Sequence, residues 1–176
     1  MNEHFTFMNV PIDGHIVDFV EKMKAKGFVC MEDDIAESTI MKGEFGGNIC
    51  RIFIYASSQT LNTYMVFVEL ATSSKFFALK AVYEQYKSLL TKKYGKGESY
   101  EYFKSPYEEG DGYEDTALEC GYVRYATEYI MENGEICIQI LDDENRDGGF
   151  VLLAYKDTAN MRINDEEENQ SIMSDL

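Results

Sequence analysis

Residues 73–95 read SSKFFALKAVYEQYKSLLTKKYG and carry the strongest helical pattern in the chain. We expect Ser73 or Ser74 to cap the first turn and Gly95 to end the helix in a left-handed conformation. The apolar residues recur at steps of three and four, which places them on one helical face: Phe76, Leu79, Val82, Tyr83, Tyr86, Leu89 and Leu90. Strand-like segments lie on both sides, so the sequence predicts that this helix packs on a sheet.

The chain before this helix predicts one strand, one helix and four further strands. The first strand covers residues 4–12, and the helix after it is expected to begin at Asp13 as N-cap and to end at Gly27. A Gly-Gly-Asn hairpin turn at residues 46–48 separates two of the later strands. These four strands are residues 28–31, 39–45, 49–55 and 64–70.

The chain after the central helix repeats this plan. An acidic, glycine-rich loop is expected at residues 105–116, and the predicted strands are residues 99–103, 118–131, 135–141 and 150–155. The two helices end in the similar sequences KMKAKGF and LTKKYGK, and a later strand contains ICRI in one half and ICIQ in the other. An internal repeat of one helix plus four strands predicts an α+β fold, in which a curved antiparallel sheet of about eight strands carries two helices on one face.

Length and composition set the domain organisation. The chain has 176 residues, 45% of them hydrophobic, which is enough for one full core and too short for two comfortable domains. We therefore assign residues 1–160 to a single α+β domain and residues 161–176 to an acidic C-terminal tail.

The charge of the chain bears on its partners. The formal net charge is -16, and no basic patch is concentrated anywhere in the sequence. Nucleic acid and anionic membrane surfaces repel such a protein, so neither is expected as a partner. No apolar run approaches the ~18 residues that a membrane span requires, so no span is predicted.

The cysteines and the first residues bear on the compartment. Cys30, Cys50, Cys120 and Cys137 include no CxxC pair and have no nearby histidine, so we interpret them as buried free thiols. The opening MNEHFTFMNV has no export signal. As written, the chain is predicted to be cytoplasmic; if a leader was removed, it would be periplasmic or secreted.

Several phrases of the sequence resemble those of an uncharacterised family of hypothetical proteins from Bacteroidetes. They are PIDG followed by FVEKMKAKGF, KGEFGG, LTKKYG, NGEICIQI and VLLAYKDTAN, and together they cover most of the chain. They consist of turns, helix ends and core strands, so the resemblance bears on fold. Members of this family commonly carry an export leader, which implies the periplasmic or secreted alternative.

No catalytic or cofactor motif is found in the sequence. The only histidines, His4 and His15, lie in no nucleophile motif, and the glycines form no phosphate-binding loop, so neither a catalytic residue nor a cofactor is predicted. The many acids permit a carboxylate-dependent hydrolase acting on a neutral or basic substrate. Its candidate residues lie in and beside the acidic loop: Glu108, Glu109, Asp111, Glu114 and Asp115.

One turn has the spacing of a calcium loop. Asp143, Asn145 and Asp147 place oxygen donors on alternate residues before Gly148, as the first half of such a loop does. Ala154 stands where the bidentate glutamate belongs, so an acidic hairpin turn is the favoured interpretation and calcium the weaker one.

A group of tyrosines lies close together in the second half of the sequence. They form either a binding surface or ordinary half-buried strand positions. The group comprises Tyr100, Tyr102, Tyr107, Tyr113, Tyr122, Tyr125 and Tyr129.

The strands are apolar on both faces, and two helices cover only one of them. Phe53, Tyr55, Met65 and Phe67 are therefore expected to form a partly exposed patch on the other face. Its candidate occupants are another protein, a small neutral or basic ligand, a second copy of the chain, or the C-terminal tail folded back through its own apolar residues. The sequence thus predicts a non-enzymatic binding or protein-interaction module, with the hydrolase as the alternative.

Overall fold

The structure, a computed structural model, describes residues 3–176. It has an α+β fold with an eight-stranded antiparallel sheet that is not closed, which confirms the predicted fold class. The sheet contains β3 (Val29–Cys30), β4 (Ser38–Phe45), β5 (Asn48–Ala56), β6 (Thr63–Ser73), β7 (Glu98–Phe103), β8 (Val123–Ile130), β9 (Gly134–Asp142) and β10 (Gly149–Asp157).

The strands follow the order β3-β4-β5-β6-β10-β9-β8-β7 in the sheet. A separate two-stranded sheet pairs β1 (Thr6–Phe7) with β2 (Val10–Pro11). The sequence predicts one strand over residues 4–12, but Met8 and Asn9 both have positive φ and turn the chain into this hairpin. The internal repeat stays a prediction.

The described residues form four helices, whereas the sequence predicts two. These are α1 (Ile16–Ala25), α2 (Phe76–Tyr94), α3 (Glu114–Glu119) and α4 (Thr158–Asp175). The start of α3 falls within the predicted acidic loop, and α4 includes most of the residues predicted as a tail. The assignment of a single domain ending at residue 160 stays a prediction, because the chain divides into two compact units that we describe separately.

Unit 1 comprises the described residues up to Val68 together with Met131–Glu135 and Ala154–Leu176. The inward side of α1 is fully buried, through Ile16, Phe19, Val20 and Met23. After α1, the Phe28 ring lies where a side chain on Gly43 of β4 would project, since a Cβ built there would be 2.5 Å from that ring. Glycine at this position lets the start of β3 pack flat against β4.

The first helix begins later than the sequence predicts. His15, not Asp13, is the N-cap of α1, and its Nδ1 accepts a hydrogen bond from Val17 N at 3.3 Å. The carboxylate of Asp13 is instead held by the side chain of Asn160, 3.0 Å away. A residue from α4 therefore removes the cap that local sequence favours.

Unit 2 comprises Glu69–Ile130 and Ile136–Leu153. The buried side of α2 contains Phe76, Leu79, Tyr83 and Leu90, as predicted, whereas Leu89 is 52% exposed. Gly95 ends the helix with φ +88, as expected from its left-handed preference.

The predicted serine cap of α2 is wrong. The helix begins at Phe76 after an N-cap Lys75 that makes no side-chain cap bond, while Ser73 accepts only from Lys75 N. The N–H of Phe76 donates instead to Asp115 Oδ1 of α3 at 2.8 Å. The cap thus comes from a residue 39 positions away in sequence, which no local pattern indicates.

The four cysteines are free, but they are not uniformly buried. Cys50 and Cys137 lie in the interior of β5 and β9, as expected of small apolar residues. Cys120 is exposed because it follows the last turn of α3, and Cys30 on the short strand β3 is half-buried.

Candidate binding surface

An aromatic row lies on one face of unit 1. Along β5, Cys50, Ile52, Ile54 and Ala56 are buried, whereas the alternate residues Arg51, Phe53 and Tyr55 are only half-buried. Because successive strand residues point to opposite faces, the second set lies on the face directed away from the core. The sequence predicts this alternation, and the burial pattern confirms it.

The neighbouring strands extend this row into a surface. Ile40 of β4 is paired with Phe53, and Met65 and Phe67 of β6 are half-buried like them. The rings of Tyr55 and Phe67 contact each other edge to face, with centroids 5.2 Å apart. We call these five residues the outer strip: Ile40, Phe53, Tyr55, Met65 and Phe67.

The outer strip combines apolar area with two polar handles. The guanidinium carbon of Arg51 lies 5.6 Å from the centroid of the Phe53 ring, in the range of a cation–π contact. Burial raises the pKa of the Tyr55 phenol, so the hydroxyl is neutral at physiological pH and able to donate a hydrogen bond. Aromatic residues with a buried body and an accessible polar end are enriched in protein interfaces.

A shallow depression lies beside this row. It has a volume of about 500 Å³, and Ile49, Lys42, Val29 and Glu44 are among its lining residues. Ile49 is two positions before Arg51 on β5, so it continues the same face of the strand. Val29 and Ile49 are 67% and 65% exposed, which adds accessible apolar area to the outer strip.

The acids proposed for a hydrolase hold their own loop together. Asp111 accepts hydrogen bonds from Glu108 N at 2.9 Å and Tyr113 N at 2.7 Å, so it closes a turn. Glu114 is buried, with 6% exposure, and its carboxylate accepts from the N–H of Gly110. These bonds give both carboxylates a structural partner.

Glu109 ties the same loop to the core of unit 2. Its carboxylate accepts a 2.6 Å hydrogen bond from the Tyr125 hydroxyl and pairs with Lys80. The bond from Lys80, followed by that from Tyr125, lowers the pKa of Glu109. A depressed pKa keeps this carboxylate ionised, which is unlike the raised pKa of a general acid.

The calcium-like turn holds a cation of its own. Asp143 accepts from Asn145 N at 3.0 Å and from Arg146 Nε at 2.7 Å. These interactions, with the backbone bond from Asn145 N as the largest favourable one, lower the pKa of Asp143. Asp147 lies in the same turn, but no group of three or more His, Cys, Asp or Glu side chains within residues 3–176 has metal-binding geometry. The role of Asp143, Asn145 and Asp147 as calcium ligands stays a prediction.

The crowded tyrosines fall into two sets. Tyr125 and Tyr129 are buried against α2, where the Tyr83 ring lies 5.7 Å from that of Tyr125 and Tyr129 bonds to Thr91 at 2.9 Å. A second set is exposed by a third or more: Tyr100, Tyr102, Tyr113 and Tyr122. Both interpretations of the sequence therefore apply, each to different residues.

A buried hydroxyl network joins α2 to the end of the sheet. Tyr83 has no solvent exposure, and its hydroxyl bonds to Glu101 at 2.9 Å and to Thr127 at 2.6 Å. Ser99 bonds to Thr127 at 2.9 Å, and Lys87 pairs with Glu101. Burial is the main reason that the pKa of Tyr83 is strongly raised, so its hydroxyl stays protonated.

His4 lies between two carboxylates in unit 1. Its ring nitrogens are 3.1 Å from Asp157 and 3.5 Å from Asp13. Asp157, 1% exposed, also accepts from Phe5 N at 2.7 Å and caps α4 by accepting from Asn160 N at 2.9 Å. Burial acts to raise the pKa of Asp13, but bonds from Asn160 and the Gly14 N–H outweigh it and the pKa is lowered. The cluster fixes the N-terminal segment to α4 and presents no nucleophile.

Glu167 of α4 is the most heavily bonded carboxylate in unit 1. It is 6% exposed and accepts from Thr60 Oγ1 at 2.6 Å, Gln59 N at 2.7 Å, Ser57 Oγ at 3.2 Å and Thr60 N at 3.4 Å. Burial acts to raise its pKa, but these bonds, led by that from Thr60, outweigh it and the pKa is lowered. Glu167 therefore anchors α4 to the turn between β5 and β6.

Sequence reasoning missed α4, although one signal for it was present. Residues 157–160 read Asp-Thr-Ala-Asn, and an aspartate just before a run of good helix formers is typical of an N-cap. In contrast to the expectation that the tail uses its apolar residues to cover the sheet, Ile163, Ile172 and Met173 are exposed. The buried side of α4 is polar, with Asn160, Asn164 and Glu167.

Comparisons with protein-family models, with curated proteins and with solved structures give no match. None of the helices in the described part of the chain has both the length and the apolar composition needed to cross a bilayer.

Proposed function

We propose that this protein is a non-enzymatic binding protein that recognises another protein through the outer strip of unit 1. The observation that carries the proposal is the half-exposed aromatic row along β5 and β6. Apolar side chains on the opposite face of β5 are buried, so Phe53, Tyr55 and Phe67 are not needed to complete that core. Contiguous exposed apolar area of this kind typically marks an interface.

The proposed partner has an apolar segment on a neutral or basic surface. The net charge of -16 attracts such a surface and repels acidic ones. Tyr55 and Phe67 supply rigid anchors, and Arg51 gives orientation by donating to a carbonyl beside the apolar segment. A second copy of the chain is disfavoured as occupant because two chains of the same large charge repel each other.

Peptide selection tests this proposal and does not require the partner to be identified first. A random peptide library displayed on phage is selected on the immobilised full chain, and bound clones are then challenged with the F53S/F67S double variant. We expect aromatic-containing peptides of neutral or positive charge that lose at least about tenfold in affinity for the variant, because two anchors of an interface are removed. The matched control is F77S, since Phe77 is 54% exposed on α2, outside the outer strip.

Three outcomes would reject the proposal. Peptides that bind the double variant and the wild type equally would place binding elsewhere, and failure to enrich any peptide would remove the binding surface. Turnover of chromogenic glycosides, esters or peptides that is abolished by E109Q or E114Q would favour the hydrolase instead. Light scattering on the same samples identifies self-association that depends on Phe53 and Phe67.

A further inference from the structure

The eight-stranded sheet ends in two unequal edges. Within residues 3–176, β3 is the last strand on one side and has two residues, whereas β7 is last on the other and has six. Five of the six residues of β7, all except Phe103, are exposed. The six-residue edge in unit 2 is therefore uncovered along its length.

The pairing of β7 with β8 shows which backbone groups are unused. Phe103 is paired with Val123, and the next residue, Lys104, donates its N–H to Tyr122 O at 2.8 Å. In an antiparallel ladder this makes Phe103 a residue whose own N–H and C=O point away from β8, and every second residue shares that direction. Ser99, Glu101 and Phe103 thus offer three donors and three acceptors along the edge.

Few of the usual protections against strand addition are found at this edge. Residues 98–103 read ESYEYF and contain no proline, no lysine and no glycine. The ladder with β8 runs in register over all six residues, without a bulge. The β3 edge, in contrast, is too short to template a partner strand.

The side chains beside this edge favour a cation. Glu98 of β7 and Glu128 of β8 lie directly opposite each other, and neither forms an ion pair within the described chain. Like charges in such a pair are destabilising until a cation approaches. Tyr100, on the same face, is 37% exposed, and its pKa is raised, first by the hydrogen bond to Glu98 and by partial burial. Arg124 lies further along β8, opposite Tyr102.

We propose that β7 adds an extended segment of another protein, and that this segment places a lysine or arginine over Tyr100 beside Glu98 and Glu128. The outward backbone groups of Ser99, Glu101 and Phe103 supply the ladder, as in strand-addition recognition generally. The two carboxylates and the ring select the cation. A second copy of β7 does not fit, because residues 98–103 contain two glutamates and no basic residue.

The probe is a capped eight-residue peptide of alternating lysine and threonine, titrated into the isotope-labelled full chain and followed by amide NMR. Lysines then lie on one face of the added strand and threonines on the other. We expect shifts concentrated at Ser99, Glu101 and Phe103, with slowed hydrogen exchange at these three amides. A peptide with glutamate for lysine, and a lysine peptide methylated on alternate backbone nitrogens, are each expected to bind about tenfold or more weakly.

Two pairs of variants locate the interaction. S99P removes an outward N–H that the ladder with β8 does not use, whereas S99A keeps that N–H and loses only the side-chain bond to Thr127. We expect S99P to weaken peptide binding about tenfold and S99A to leave it within about twofold. The E98Q/E128Q variant is expected to lose most of the preference for lysine over glutamate peptides, while E144Q, on an exposed turn, retains it.

Several results would overturn this inference: no binding of the lysine peptide at millimolar concentration, equal binding of the glutamate peptide, or equal affinities of S99P and S99A. If S99P unfolds, the methylated peptide still decides the question with the wild-type chain. The F53S/F67S variant is expected to bind the lysine peptide normally, so failure of this proposal is distinguishable from failure of the outer strip.

Discussion

Units 1 and 2 each use a carboxylate to fix an acidic helix to another segment, but they place that carboxylate in different surroundings. Glu167 is 6% exposed and is held by hydroxyl and backbone donors of the turn after β5. Asp115 has a side chain that is 37% exposed; it caps α2 through Phe76 N and pairs with Lys75, whose side chain is 72% exposed. One carboxylate is buried without a counter-ion, and the other is paired in contact with water.

This difference shows that convergent neutral donors replace a counter-ion. A carboxylate that leaves water loses solvation, and it stays ionised only if hydrogen bonds compensate for that loss. At Glu167 four donors do so, and at Asp115 the bond from Lys75 is the largest contribution that lowers the pKa. We therefore expect the Glu167 contact to be strong and insensitive to salt, and the Asp115 contact to be weak and screened.

Removal of Glu167 should have the largest effect. E167A leaves the buried donors of Ser57, Gln59 and Thr60 without their acceptor, and we expect a loss of about 2–3 kcal/mol in the free energy of unfolding. The corresponding decrease in Tm is about 5–10 °C for a chain of this length. Urea unfolding and thermal melts followed by far-UV circular dichroism measure both quantities.

The matched control is E166A, which changes an exposed glutamate one position earlier in the same helix. It has the same effect on net charge and helix propensity but removes no buried acceptor, so we expect a change within about 0.5 kcal/mol. Equal destabilisation by both variants would show that Glu167 acts only through the helix.

The sequence predicts most of the secondary structure because each strand and the two main helices carry their own periodicity. The start and stop of β4 to β7 lie within three residues of the predicted bounds, and α2 ends at the expected glycine. The outer strip is also predicted, since the alternation along β5 determines which side chains share a face.

What the sequence does not predict depends on distant partners. The caps of α1 and α2 shift because Asn160 holds Asp13 and Asp115 caps Phe76, and neither contact leaves a local signal. The buried face of α4 is polar, so the search for an apolar stripe misses it. Glu167 gains its role only from the turn 110 residues away that contains Ser57.

Acid should weaken the Glu167 contact. Its folded pKa lies below the ordinary value of 4.5, so the stabilisation is fully present above pH 4.5 and is lost as the pH falls through the folded pKa. The difference in unfolding free energy between the wild type and E167Q should therefore be constant near neutrality and decrease below pH 4.5. Urea titrations at several pH values between 3 and 7 measure it, and a difference that grows in acid would contradict the assignment.

Unit 2 should prove to have a buried polar anchor of its own, formed by a neutral hydroxyl. Y83F removes the bonds to Glu101 and Thr127 but retains the ring, so we expect a loss of about 1 kcal/mol. Y113F, which changes a tyrosine that is 63% exposed, should have almost no effect. If Y83F were as costly as E167A, the contrast between the two units would not hold, and urea unfolding of the three variants decides this.

The smallest effect is expected at Asp115, and salt should reveal its nature. D115N keeps an oxygen acceptor for Phe76 N but loses the charge that pairs with Lys75 and that favours the N-terminus of α2. The destabilisation should be below that of Y83F, and it should decrease between 0.02 and 0.5 M sodium chloride because exposed charges are screened within about 10 Å at 0.1 M salt. Urea, which is uncharged, is the denaturant for this comparison, and the E167A effect measured in parallel should stay constant because its donors are neutral. A D115N effect that is independent of salt, together with an E167A effect that decreases with it, would reverse the roles assigned to the two carboxylates.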